Sequence, residues 1–421
     1  MTPERVQRTY LILLLLQTLA ASLIWGINTL FLLDAGLSIT EAFVANAAFT
    51  AGMVIFEVPT GVIADTFGRR TSFILGAATL LVTTAAYLGL WYVEAGIGWW
   101  ILVSALIGLG FTFFSGATEA WLVDALHATG FEGGVETVFG KGQAVAGAAT
   151  LVGTISGGFL GQINLGLPYV VRSILLLAVI AAAWAWMHDL GYEPKKGVAI
   201  VPQVKGILRS SIIHGFGNPP IRMFMFASPF MYGVGIWIFY AFQPYLLELF
   251  GDPDATYLAG IAAAVFAVAQ MVGGSAVKLV RRVVSTRSGV IITEVVIGAL
   301  GLVVVGLAEN LPIPIGFWLA IGVLTLINLV TAVAYPMQQA YMNGCIPSEQ
   351  RATVLSFVSL TGNVGGVVVQ PALGRVADVY SYGTGYIAAG AIYGLALPFI
   401  VGVRRMRLRA DRLTDEPTPV V

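Results

Sequence analysis

Twelve long apolar runs, each about 20 residues or more, constrain this chain more than any other feature. They fall at roughly 10–33, 40–64, 71–93, 98–123, 140–163 and 168–187, then at roughly 221–248, 254–277, 288–308, 313–341, 352–376 and 383–403. An α-helix rises about 1.5 Å per residue, so about 20 residues cross a hydrocarbon layer roughly 30 Å thick. Inside lipid the backbone has to satisfy its own N–H and C=O groups, which leaves helices or closed barrels. These runs far exceed the roughly 11 residues of a barrel strand and do not alternate, so they read as helices.

Composition narrows the class further. Apolar residues make 57% of the 421-residue chain and charged residues 10%, against roughly 25% charged in a soluble domain. A disordered chain, a collagen-like chain and an ordinary cytosolic enzyme are excluded. The 22 basic and 22 acidic residues cancel, so there is no electrostatic footprint for nucleic acid. Cys345 stands alone, which excludes an intramolecular disulfide and a cysteine metal cluster. Arg5 and Arg8 before the first run mimic a secretory signal, but the run is too long for one and reads as an uncleaved helix. No Asn-x-Ser/Thr acceptor occurs, which favours a bacterial source.

With the N-terminus inside, 20 of the 22 Lys and Arg residues fall on the inner side, and only Arg172 and Arg375 fall at the outer side. This bias predicts that both termini are cytoplasmic. The polar segment 189–220 separates six helices from six. The domain reading is therefore a half over 1–188, a linker over 189–220, a half over 221–405 and a tail over 406–421. In the linker Val201, Val204, Leu208 and Ile212 recur at helical spacing beside Lys205 and Arg209. That pattern fits a short helix on the inner leaflet or a flexible linker. At an offset of 213, Gly61 meets Gly274, Arg69 meets Arg282, Ser72 meets Ser285, Gly153 meets Gly366 and Gly161 meets Gly374. Two parallel six-helix halves with a ligand site between them are a transporter plan.

The sharpest motif is Gly61-Val-Ile-Ala-Asp65-Thr-Phe-Gly68-Arg69-Arg70, in the loop after the second run. Gly61 permits close helix approach, Asp65 suits the positive end of a helix, and Gly68 permits a tight turn. Arg69 and Arg70 can pair with acids and carbonyls. The motif closely resembles the signature loop of the major facilitator superfamily, and the resemblance extends over about residues 8–405. Ile346-Pro-Ser-Glu349-Gln-Arg351 resembles that family's approach to its eleventh helix, with Ser348 as a helix cap. Gly274 to Arg282 resembles a decayed second copy of the signature, with Lys278 in place of the acid. Gly153-x-x-x-Gly157-Gly158-x-x-Gly161 partly resembles the glycine-rich motif of drug exporters, or is ordinary close packing. The exporter motif has Pro where Gly158 stands.

The resemblance implies an all-α membrane protein with twelve transmembrane helices in two pseudo-symmetric six-helix halves. It implies a secondary transporter working by alternating access, nearest to drug-efflux members, with the signature loop gating the cytoplasmic face. In that family helices 1, 4, 7 and 10 line the cavity. Here they offer Trp25, Asn28, Phe111, Phe114, Tyr232, Trp237, Tyr240, Gln243, Asn328, Tyr335, Gln338 and Gln339. An aromatic wall with uncharged hydrogen-bonding groups suits a lipophilic or weakly polar ligand.

Acids inside spans are costly and are candidates for function. Glu57 reads as part of the gate network or as a proton site. Glu119 and Asp124 lie five residues apart, roughly 140° around a helix. If Asp124 turns toward Arg69 or Arg70, Glu119 turns elsewhere, as a proton carrier or a structural partner. Glu294 reads as structural or snorkelling. There is no phosphate-binding loop, His-x-x-x-His pair or catalytic triad, so neither an ATP-driven pump nor an enzyme is expected, and no cofactor. The expected partners are a small-molecule substrate, protons and the lipid bilayer of a bacterial inner membrane, and the expected state is a monomer. Proton-coupled efflux is the first reading, although no acid lies inside helix 1. Uptake or facilitated diffusion of a small metabolite is the second, and a non-transporting membrane sensor is a third of another class.

Overall fold

The first apolar run does not form one helix. The computed structural model describes residues 1–192, 212, 213, 215–347 and 350–413, without the side chains of Val283, Ala352 and Thr353. Thr2 caps α1 (Pro3–Ser22), its hydroxyl accepting from the Arg5 N–H at 3.4 Å, and Pro3 sits where no N–H is needed. From Leu23 the chain tightens. Ile24, Trp25 and Ile27 each donate three residues back, to Ala21, Ser22 and Ile24. A new helix, α2, then runs over Asn28–Asp34.

The remaining helices of the first half are α3 (Ile39–Phe67), α4 (Arg69–Tyr92), α5 (Ile97–Thr112), α6 (Ala117–Ala128), α7 (Val135–Ile163) and α8 (Leu167–Trp186). The run expected over 98–123 is also divided, between α5 and α6. Gly116, at φ +68°, takes the left-handed turn that a side chain disfavours, and α6 starts on its carbonyl. After the linker come α9 (Pro219–Phe250), α10 (Thr256–Val283), α11 (Arg287–Leu307), α12 (Ile315–Asn343), α13 (Arg351–Val379), α14 (Tyr382–Gly394) and α15 (Leu397–Arg405). Among the described residues, eleven helical stretches are long and apolar enough to cross a membrane, counting α5 with α6 and α14 with α15. The twelfth expected span is the broken α1–α2 pair. Residues 201–211 of the expected surface helix, and Ser348, lie outside the described residues.

The helices sort into two compact units. The first comprises Met1–Leu37, Ala48–Lys205 and Ala255–Ala264, and the second Ser38–Ala47, Gly206–Asp254 and Val265–Val421. Within the first unit α1 packs on α7 and α4 packs on α8. Within the second, α9 packs on α13 and α11 packs on α14. In span order this is the same pairing, first with fifth and third with sixth. The repeat is visible in length as well. α7 and α13 are both 29 residues, and Val135 with Arg351 and Ile163 with Val379 stand 216 residues apart. That is three more than the offset at which the glycine and arginine matches occur.

Lipid tails are as apolar as leucine, so close backbone contact and buried hydrogen bonds hold such helices together. A Cβ on Gly52 would strike the Ala105 carbonyl, and one on Gly108 would strike that of Phe49, so α3 and α5 meet backbone to backbone. Two α7 glycines do likewise, Gly157 against the Leu23 carbonyl and Gly158 against Gly260, while Gly153 makes room for the Ser22 side chain. Tyr87 and Ser104 join hydroxyls at 2.5 Å in the buried α4–α5 seam. A bond of this kind contributes on average about 0.6 kcal/mol in a membrane protein.

Candidate functional site

The turn between α3 and α4 is built around Gly68. Its φ of +105° and ψ of 152° lie in a region open essentially to glycine alone. A Cβ there would also strike Oδ2 of Asp189. Asp189 stands three residues beyond α8 and uses its other oxygen, Oδ1, to accept the backbone N–H of Arg70 at 2.9 Å. Arg70 is the second residue of α4, one of four whose N–H has no partner within the helix. The Arg70 side chain reaches the other way, Nη2 donating to the Trp184 carbonyl at 2.6 Å in the last turn of α8.

Arg69 gathers the acids. Its Nη1 lies 2.6 Å from Asp65 Oδ1, one turn earlier, and its Nε lies 4.0 Å from Asp124 Oδ2 on α6. The guanidinium also sits 5.7 Å over the Tyr192 ring. The Tyr192 hydroxyl donates to the Asp65 carbonyl at 2.7 Å, and burial pushes that phenol above its ordinary pKa. His188 accepts from the Trp121 indole at 2.7 Å through its carbonyl. Gly191, at φ +69°, brings the chain against the Asp124 carbonyl. Residues 187–192 thus fold over the motif and over α6. The motif alone did not reveal Asp189 and Tyr192. The available signal was an acid and a phenol just past the sixth apolar run, in what reads as the start of a linker.

The same device closes the second unit. Asp411, beyond α15, accepts the N–H of Ser288 at 2.7 Å through Oδ1 and the Ser288 hydroxyl at 2.7 Å through Oδ2. Ser288 is the second residue of α11, as Arg70 is of α4. Arg287 Nη1 donates to the Ala410 carbonyl, and the Leu413 N–H to that of Ser285. Residues 409–413, read as a tail, are therefore part of the structure around the decayed motif.

The other acids separate. Glu119 is exposed in the first turn of α6, where a negative charge suits the helix terminus. Glu57 accepts from the Ser115 hydroxyl at 2.7 Å, and Thr60 donates to the Thr112 carbonyl at 3.1 Å. Both fasten α3 to the break between α5 and α6, and Glu57 makes no ion pair with Arg69 or Arg70 among the described residues. Glu294 does not snorkel. It is 3% exposed, and its Oε1 accepts from Thr331 at 3.3 Å and from Tyr393.

The expected cavity residues also divide. On α9, Trp237 is buried between Phe43 and Tyr386, with ring centroids 5.7 and 5.0 Å away. Gln243 is buried and donates to the Phe239 carbonyl, and Tyr240 packs edge-on to Phe239. Tyr232 and Tyr335 are 51% and 61% exposed and lie within electrostatic reach of each other. Asn328 accepts from Gln270 at 2.9 Å, while Gln338 and Gln339 are half-buried on α12. In the first unit Phe114 is buried on Phe73, and Phe111 packs edge-on to Phe49. Trp25 is half-buried in the break, and Asn28 accepts from Tyr169 at 3.0 Å.

The sequence profile of the Major Facilitator Superfamily matches residues 10–308 and 225–420. The chain belongs to the Major Facilitator Superfamily. No curated protein sequence matches it. Among solved structures of similar fold, the nucleoside transporter NupG superposes with a TM-score of 0.75 at 11% identity, over 96% of this chain and 99% of that one. A D-xylose-proton symporter gives 0.67 at 14%, over 94% and 96%. The POT family transporter PepTSo gives 0.72 at 13%, over 96% and 98%. These likenesses establish the superfamily fold. The network around Gly68, Arg69 and Arg70 is built on the decamer that resembles the superfamily's signature loop.

Proposed function

We propose that this superfamily member is a secondary active transporter that exports a small lipophilic or weakly polar molecule by alternating access, coupled to protons. The observation that carries the reading is the division of labour on α6. Asp124 is engaged with Arg69 in the signature-loop network, whereas Glu119, five residues earlier, is exposed and separate from it. One acid serves the gate, and the other stands apart from it as the proton carrier of this reading. Tyr232, Tyr335, Asn328, Gln338 and Gln339 supply aromatic and uncharged polar surface for the ligand. The basic-residue bias supports cytoplasmic termini, and the lack of an Asn-x-Ser/Thr acceptor supports a bacterial inner membrane. Uptake is the second reading, favoured by the lack of an acid in the helix 1 run.

A ligand thermal-shift screen on the purified protein, followed by proteoliposome flux with and without a pH gradient, tests the proposal. Glu119→Gln is expected to abolish gradient-driven flux and to keep counterflow exchange. Gradient-driven flux that survives Glu119→Gln removes Glu119 as the carrier. Flux indifferent to the pH gradient in the unaltered protein removes proton coupling altogether.

A further inference from the structure

Arg172, expected at the outer side, is the sixth residue of α8; it is 1% exposed inside the first unit, and no carboxylate pairs with it among the described residues. A buried guanidinium without an acid is costly, by several kcal/mol in order of magnitude. Its partners explain its place. Nε donates to the Thr84 hydroxyl at 3.1 Å, and Nη1 to the Ala20 carbonyl at 3.4 Å. The guanidinium also lies 5.9 Å over the Phe111 ring.

The Ala20 carbonyl is the one that a continuing α1 would give to the Ile24 N–H. At the break Ile24 bonds Ala21 instead, which leaves Ala20 free. Arg172 takes that oxygen, and its charge stands at the negative end of the α1 dipole. One turn earlier on α8, Tyr169 holds the far side of the same break. Its hydroxyl donates to Asn28, the first residue of α2, and its ring lies 4.1 Å from that of Phe31. Tyr169 is also 1% exposed.

We infer that Tyr169 and Arg172 are positioning residues, a two-point staple on α8 that fixes the break in the first span and thereby sets Trp25 and Asn28. The transport reading supplies only what the break positions. The staple itself can be measured without any substrate. A break held solely by its own turn bonds could re-form as continuous helix or slip by a residue. The staple opposes both, because Arg172 can reach the Ala20 carbonyl once the break has freed it and Tyr169 bonds the head of α2. The uncompensated charge is thus spent on geometry at the one place where the span is interrupted.

The test is amide hydrogen exchange on the full chain in detergent, with Arg172→Met, Arg172→Lys and Tyr169→Phe. Amides of residues 23–28 are expected to exchange about tenfold faster in Arg172→Met and Tyr169→Phe, while those of α4 and α7 stay as they are. Arg172→Lys keeps a cation at the α1 terminus and is expected to restore slow exchange. Unchanged exchange at 23–28 in Tyr169→Phe overturns the inference. So does acceleration spread evenly over the first unit, which is the signature of a general packing role. If Arg172→Met does not fold, the tyrosine and lysine variants still decide. Lost flux in Glu119→Gln leaves this measurement untouched, so the two readings fail separately.

Discussion

Asp189 holds the backbone N–H of Arg70 at 2.9 Å, which fixes the start of α4 from a segment more than a hundred residues away in sequence. Asp411 does the same for Ser288 at the start of α11. Each half of the molecule closes its third span with a carboxylate supplied from just beyond its sixth.

Asp189→Ala leaves the second N–H of α4 uncapped, and a lost cap costs about 1 kcal/mol. Asp411→Ala is expected to cost more, because Asp411 is 4% exposed and also leaves the buried Ser288 hydroxyl without its acceptor. Thermal unfolding of the two variants in the same detergent checks the order. A smaller loss for Asp411→Ala than for Asp189→Ala contradicts it.

Gly68→Ala forces a side chain into a glycine-only backbone region and against Asp189, with an expected loss of about 1–3 kcal/mol. Part of that loss is the Asp189 contact. The double variant Gly68→Ala with Asp189→Ala should therefore lose less than the sum of the singles. A double-mutant cycle measures the coupling, and strict additivity would show that the two residues act independently.

Asp65→Asn removes the carboxylate 2.6 Å from Arg69. Both side chains are partly exposed, so the cost to stability is expected to stay below about 1 kcal/mol. Flux at equal expression is expected to fall well below that of the unaltered protein, because Arg69 then keeps only the Tyr192 ring and the longer contact to Asp124 to orient it. Undiminished flux argues against a gating role for this network.

The Cys345 thiol is pushed up to about 11, first by burial and then by Asp411, with Arg287 acting in the opposite direction. The reactive thiolate is therefore scarce at neutral pH. Alkylation by iodoacetamide should be slow there and rise as pH climbs toward 11, where an ordinary thiol levels off above about 8.5. Asp411→Asn should move the profile to lower pH. A rate that plateaus near pH 9 in the unaltered protein excludes the shift.

Orientation is open to labelling in a background without Cys345. A cysteine at Asp252 is expected to react with an impermeant thiol reagent added outside intact cells, and one at Ser348 to be shielded. Reaction at Ser348 from outside would reverse the expected orientation.

Hydropathy alone determined the class and the helix count by span, because a bilayer demands about 20 apolar residues per crossing whatever the packing. The decamer from Gly61 to Arg70 likewise marked the α3–α4 turn, since only glycine satisfies its backbone and its charges are local. Where the spans break was not legible. The interruption at residues 23–27 contains no proline and rests on contacts from α7 and α8, so a window of hydropathy reads straight through it. Only the tertiary structure placed Asp189 on Arg70, Asp411 on Ser288 and Arg172 on the Ala20 carbonyl. A hydrogen bond needs its partners within about 3 Å in space, and nothing in the one-dimensional order of residues records that proximity.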